Sequence, residues 1–430
     1  MSAAVENSIP TPLKRKGNPQ IPTALAALIL LATQLLPPLP MYLGVTHSMA
    51  LGVSIAAGLS IITVFGCHAL GLKRLRLGWA DTSAGALVFI LTASVLIVIH
   101  GGIADEIMGV HLGRFVASLV LLALLLSAAA AFASALRAAS NSQVHRIVSI
   151  SFWVLCAVAI TRLVHLEPRR DVFSKPMFPF TETSFFALAF CPIYLFKCAT
   201  TPRQKRTFWV LFGFTLAIVL KSATLLAIAC VGAFVCRRIL LILLVSLLVL
   251  GAGASHYIRY FTSRADISSS NKNLSALVYL EGWEMLGRSL SLSHGWGLGF
   301  QQQGYHATDV TAAAEIRGQT GGFNLNLQNG SFVLSKLGSE FGVFGLLLIA
   351  AYTFVAIRSL RVIRHRPCSE SELLSRCIFV GYGIDIFIRG TGYFSASTLL
   401  FLAATFTLYP PGALLRKSVT RISYTAMVFR

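Results

Sequence analysis

The sequence predicts an all-α protein that crosses a membrane many times. Of its 430 residues 55% are hydrophobic, only 12% are charged, and the mean hydropathy is +0.73. Soluble domains carry about 25% charged residues, so half of the usual polar coat is missing. An ordinary cytosolic enzyme, a disordered tail and a secreted disulfide scaffold are excluded on that ground. About 20 apolar residues cross a hydrocarbon core about 30 Å thick. Apolar runs of that kind place twelve spans near 22–38, 49–70, 83–101, 115–136, 147–164, 184–198, 207–220, 223–236, 239–254, 342–358, 374–390 and 394–410. The seventh and eighth are short and read as a tilted pair or a hairpin that stops before crossing. The chain is then a single membrane domain with tails at 1–21 and 411–430, and a large extramembrane stretch at 255–341 between spans nine and ten. The first apolar run starts far from Met1 and has no small-residue cleavage site, so it reads as a span rather than a removed leader.

The charge pattern gives the orientation. A net charge of +20 in a soluble protein would suggest nucleic acid or another anionic surface. In a membrane protein it is expected from cytoplasmic loops rich in Lys and Arg. Starting from Lys14, Arg15 and Lys16, alternate connections contain Lys73, Arg74 and Arg76, then Arg203, Lys205 and Arg206, then Arg358, Arg361, Arg364 and Arg366. The acids on that side are Glu6, Asp81, Glu370 and Glu372, while the opposite side is nearly balanced. Orientation thus accounts for the charge, both ends are expected in the cytoplasm, and no nucleic-acid partner is implied. All 8 cysteines fall in spans or cytoplasmic segments, which argues against disulfides and a Cys-based zinc site.

Three outer segments are too polar to be connectors alone. Segment 165–183 holds Arg169, Arg170, Lys175 and Glu182. Glu182 opens an apolar span, where a carboxylate is costly unless it is paired or faces water. Segment 255–341 begins with His256, Arg259 and Arg264. Leu274, Leu277, Val278, Leu280, Trp283 and Leu286 then recur at helical spacing with Glu281, Glu284 and Arg288 between them, which predicts an amphipathic helix on the bilayer or over a cavity. The glycine-rich HGWGLGFQQQG (His294–Gly304) predicts a tight loop, and Asn329–Gly345 a helix returning to the membrane. Lys336 and Glu340 are four apart on that helix, the spacing of an ion pair. The third segment is the turn Arg389–Tyr393; Asp385 and Arg389 are also four apart and are expected to neutralise each other.

Arginines at the outer membrane edge suit a phosphate or pyrophosphate whose lipid tail stays in the bilayer, since guanidinium binds phosphate bidentately and keeps its charge. A sugar leaving such a group needs that charge stabilised and an acceptor hydroxyl activated by a base. Arginines beside carboxylates meet both needs, and no metal-ligand spacing stands out in the outer segments.

Three patches resemble the bacterial O-antigen and capsule repeat-unit polymerases, the Wzy type, within a wider group that includes O-antigen ligases. They are PFTETSFFALAF (Pro179–Phe190), the pair LVYLEGWEMLGRSLSLSHGWGLGFQQQG (Leu277–Gly304) with NGSFVLSKLGSEFGVFG (Asn329–Gly345), and IRGTGYFS (Ile388–Ser395). The likeness extends to the architecture, about twelve spans with a long periplasmic loop between the ninth and tenth, and implies a GT-C-like membrane glycosyltransferase of the bacterial inner membrane. Such enzymes move a growing glycan from undecaprenyl pyrophosphate to the non-reducing end of a lipid-linked repeat unit. The resemblance implies no cofactor and no metal, with bilayer lipid and a chain-length regulator protein as further partners. It makes Glu182, Glu340 and Arg264 the candidate catalytic residues. Arg169, Arg170, Arg259, Arg288, His294, Lys336, Arg389 and Tyr393 become candidate contacts to pyrophosphate or glycan.

Two other readings carry distinct signatures. Ligases of the group typically carry a His-Asn pair where the long loop meets the return helix; this chain has Gln328-Asn329-Gly330-Ser331 there. A transporter of lipid-linked sugar usually has related halves and broken helices at mid-membrane. The sequence halves here are unrelated, and the polar residues gather at one face.

Overall fold

The computed structural model describes residues 23–46, 48–69, 73–163, 177–240, 273–325, 327–365 and 368–410. Its helices, in chain order, are α1 (Thr23–Leu35), α2 (Leu39–Tyr42), α3 (Ala50–Ala69), α4 (Lys73–Met108), α5 (Leu112–Ala138), α6 (Asn141–Leu163), α7 (Thr183–Thr200), α8 (Arg206–Val219) and α9 (Ala223–Val235). They continue as α10 (Leu274–Leu292), α11 (Thr311–Thr320), α12 (Val333–His365), α13 (Glu370–Phe387) and α14 (Ala396–Leu408).

Among the described residues six helices are long and apolar enough to cross a membrane: Ala50–Cys67, Ala86–Met108, Leu112–Ala138, Asn141–Arg162, Thr183–Thr200 and Val333–His365. The chain is therefore an all-helical, multi-pass membrane protein. The expected twelve spans are not reached among the described residues, for physical reasons that differ from case to case. Helices α8 and α9 have 14 and 13 residues, which at 1.5 Å per residue gives only about 20 Å. They pack on each other and α9 packs on α7, so they form the short hairpin anticipated for the seventh and eighth spans. Helices α1 and α14 are equally short at 13 residues each. Helix α13 is long enough but carries Glu370, Glu372, Arg376 and Asp385. The ninth expected span falls mostly outside the described residues.

Helix α5 packs against α3, α4 and α14, and α13 against α14, α12 and α7. The alanine run Ala128–Ala131 is buried on every side of α5, and small side chains of this kind let helix backbones approach closely in lipid. Facing away from that core, Leu87, Leu91, Val95, Leu96 and Ile99 of α4 and Leu347, Leu348 and Phe354 of α12 are exposed, as side chains bathed by lipid tails would be. At one end of the bundle the starts of α5, α7, α12 and α14 meet the ends of α4 and α13, with α10 and α11 packed above them. At the other end Arg237 donates to the carbonyl of Arg364, and the amide of Glu370 donates to Asn141.

Candidate functional site

A broken helix builds the centre of the site. Between Val333 and His365 the backbone departs from helical geometry at Gly342 (φ 57°, ψ −134°), a conformation only glycine adopts without strain. The break frees carbonyls that an unbroken helix would occupy. Those of Ser339 and Glu340 accept from the amides of Leu298 and Gly299, both at 2.9 Å, and the Val343 amide donates to Gly295 at 2.9 Å. The loop touches the break backbone to backbone: a Cβ at Gly297 would lie 2.5 Å from the Glu340 carbonyl oxygen. The glycines of the loop thus clamp the kink, as the sequence suggests for a tight loop, and they hold Glu340 on the turn just before it.

Lys336 and Glu340 form an ion pair of 3.0 Å between side chains only 1% and 0% exposed. Lys336 Nζ also donates to the Gln328 carbonyl at 2.6 Å and lies 5.3 Å from the centroid of the Tyr393 ring. The Gln303 amide donates to Glu340 Oε1 at 3.3 Å. Arg114, in the first turn of α5, reaches the same place. Its Nη2 donates to Gln301 Oε1 and to the Gln328 carbonyl, both at 3.1 Å, so two cations converge on one carbonyl oxygen. Tyr393 stacks on Phe300 at 5.8 Å between ring centroids. Burial, with Glu340 beside it, pushes the Tyr393 phenol well above its usual range. Removing one member of a buried pair leaves an uncompensated charge, which typically costs about 3–5 kcal/mol.

A second pair stands four residues along the turn from Tyr393. Arg389 Nη2 donates to Glu182 Oε2 at 3.1 Å, with side chains 15% and 42% exposed. Ser184 Oγ donates to the same oxygen at 2.8 Å, and the Arg389 guanidinium lies 5.5 Å from the centroid of the Phe185 ring. The turn itself is pinned to the start of α12, where the Gly390 amide donates to the Ser331 carbonyl at 3.0 Å. The expected Asp385–Arg389 neutralisation is not what forms. Helix α13 ends at Phe387, so Arg389 leaves the helical register and turns to Glu182, while Asp385 accepts from Ser397 Oγ at 2.6 Å.

The structure therefore brings together Glu182 with Arg389, and Lys336 with Glu340 and Tyr393, and joins the two groups through the turn 389–393. Arg288 and His294 are exposed, and no contact ties them to this cluster among the described residues. Arg169, Arg170, Arg259 and Arg264 lie outside the described residues. Sequence reasoning passed over Arg114, Gln301, Gln303 and Gln328. The signal for Arg114 was its place, a lone cation in the turn that opens the fourth span on the side already singled out. For the glutamines it was a QQQ run directly behind a glycine loop.

Helix α10 forms as the amphipathic pattern predicts, with one residue misplaced. Glu281, expected among the polar interleaving residues, is only 2% exposed and its Oε2 has no hydrogen-bond partner among the described residues. Burial raises its pKa to about 8, with Arg317 pulling it down and Glu284 pushing it up. Glu284 instead receives the Ala312 amide at 2.9 Å and caps the start of α11. Among the described residues no three His, Cys, Asp or Glu side chains gather as metal ligands would. The chain matches no family model, and no curated protein matches it significantly.

Proposed function

We propose that the protein is a glycosyltransferase of the bacterial inner membrane, with both ends in the cytoplasm. On this reading it extends a glycan held on undecaprenyl pyrophosphate by transferring it to the non-reducing end of a lipid-linked repeat unit. The observation that carries the reading is the turn 389–393, which links a partly exposed Glu182–Arg389 pair to the buried Lys336–Glu340–Tyr393 group at one end of a helix bundle. Fixed positive charge beside carboxylates at a membrane edge is what departure of a lipid pyrophosphate requires. Glu182, the more exposed carboxylate, takes the proton from the acceptor hydroxyl. That oxygen attacks the anomeric carbon of the donor glycan as the bond to pyrophosphate breaks. The leaving diphosphate is held by Arg389, with Arg288 and the arginines at 169, 170, 259 and 264 as further candidates. Glu340, locked to Lys336 and fully buried, has a structural role rather than exchanging protons. Bilayer lipid receives the isoprenoid tail, and a chain-length regulator is the protein partner that this activity calls for.

Deletion of the gene in the source bacterium, followed by gel analysis of surface polysaccharide, tests the proposal. Single repeats on the lipid A-core are expected. Long chains stranded on the lipid carrier would identify a ligase instead. A Glu182→Ala variant that restores polymer of normal length and amount would remove Glu182 from the mechanism.

A further inference from the structure

The polar group beneath the glycine loop has more hydrogen-bonding capacity than its own residues use. Glu340 Oε2, Gln303 Oε1 and Arg114 Nη1 are buried without a partner among the described residues. The Tyr393 hydroxyl lies beside the Glu340 carboxylate and donates toward it, which leaves the lone pairs of the phenol oxygen unused. Gln303 and Glu340 are both 0% exposed. Their residues are neighbours: the Gln303 backbone amide donates to Glu340 Oε1 at 3.3 Å, and Arg114 and Lys336 share the Gln328 carbonyl at 3.1 and 2.6 Å. Gln303 Nε2 donates to Met285 Sδ at 3.9 Å, which leaves Oε1 as the unpaired atom. Each buried orphan costs about 1–3 kcal/mol, and three in one place point to something that binds there.

The kinds of orphan atom select the ligand. Arg114 Nη1 can only donate, Glu340 Oε2 and Gln303 Oε1 can only accept, and the Tyr393 phenol oxygen has lone pairs left to accept. A phosphate accepts only; it would satisfy Arg114 but be repelled by the two orphan acceptors. Hydroxyl groups on a sugar ring donate and accept, and they match the whole set. We propose that Arg114, Gln303, Glu340 and Tyr393 form a hydroxyl-reading subsite for one sugar ring, separate from the arginines that hold diphosphate. Naming a sugar rests on the glycosyltransferase reading above; the mixture of donors and acceptors does not.

The test is equilibrium binding to the full-length protein in lipid nanodiscs. The probes are lipid-free repeat-unit oligosaccharide cleaved from the source bacterium's own polysaccharide, and inorganic pyrophosphate. Gln303→Met keeps side-chain length and deletes an orphan, so thermal stability should hold or rise while the oligosaccharide Kd rises by about tenfold or more. Tyr393→Phe should weaken the oligosaccharide in the same direction, and neither variant should change pyrophosphate binding. Unchanged oligosaccharide binding in both variants would mean that the orphan atoms hold water, and would overturn the subsite. No oligosaccharide binding by the wild type, or an equal loss of pyrophosphate binding in the variants, would also overturn it. A protein that binds the oligosaccharide in this variant-sensitive way yet forms no polymer would refute the glycosyltransferase reading and leave the subsite standing.

Discussion

Two ion pairs with the same spacing sit at opposite ends of the bundle and do different things. Lys336–Glu340 on α12 and Glu372–Arg376 on α13 are both four residues apart, at 3.0 and 2.6 Å. The first is 1% and 0% exposed; in the second Arg376 is 16% and Glu372 39% exposed. In water an i,i+4 pair contributes a few tenths of a kcal/mol. Out of water, each partner is costly without the other. Spacing makes a pair possible, and surroundings decide whether the fold depends on it.

The largest expected effect therefore comes from breaking the buried pair. Glu340→Gln or Lys336→Met alone should lower stability by about 3–5 kcal/mol, read as a lower unfolding temperature in detergent. The double variant Lys336→Met/Glu340→Met should recover most of that loss, because no isolated charge remains. A double variant as unstable as either single one would show that packing, not charge, holds this end together.

Next comes Glu281, a buried carboxylate whose partner is distant rather than bonded. Its folded pKa of about 8 lies above the ordinary 4.5, so the folded state holds its proton more tightly than the unfolded state does. Its contribution is fully present below pH of about 4.5 and is lost as pH rises toward about 8. Glu281→Gln should flatten that decline and raise stability at pH 8 by at most a few kcal/mol, measurable by thermal unfolding across the pH series.

The Glu182–Arg389 pair is partly exposed, so Glu182→Gln or Arg389→Lys should change stability by no more than about 1 kcal/mol. On the proposed function either variant should still abolish most polymer, seen on gels of surface polysaccharide. The smallest effect is expected at the far end. Glu372→Gln should cost about 0.5 kcal/mol or less and leave polymer normal.

Much of this organisation was legible in the sequence because it is local. Apolar runs specified the long helices, the Asn329–Gly345 stretch specified the return helix, and four-residue spacing specified Lys336–Glu340. Contacts that depend on where a helix ends were not legible. Arg389 left Asp385 for Glu182 because α13 stops at Phe387, two residues too early for the expected pair. Nor were contacts spanning the chain. Arg114 meets Gln301 across 187 residues and Gln328 across 214, and no periodicity connects them. Glu281 shows a third limit, since a helical pattern gives the apolar face but not the depth at which a neighbour such as α11 buries its edge. The span count suffered similarly, because α1 and α14 are apolar enough for lipid but, at 13 residues each, too short to cross it.

The most direct test of the central claim uses purified full-length protein in liposomes containing the lipid-linked repeat unit, without an ion gradient. The account predicts a ladder of lengthening glycan from the wild type, and none from Glu182→Gln. Movement of the lipid-linked repeat across the bilayer with no new glycosidic bond would contradict it.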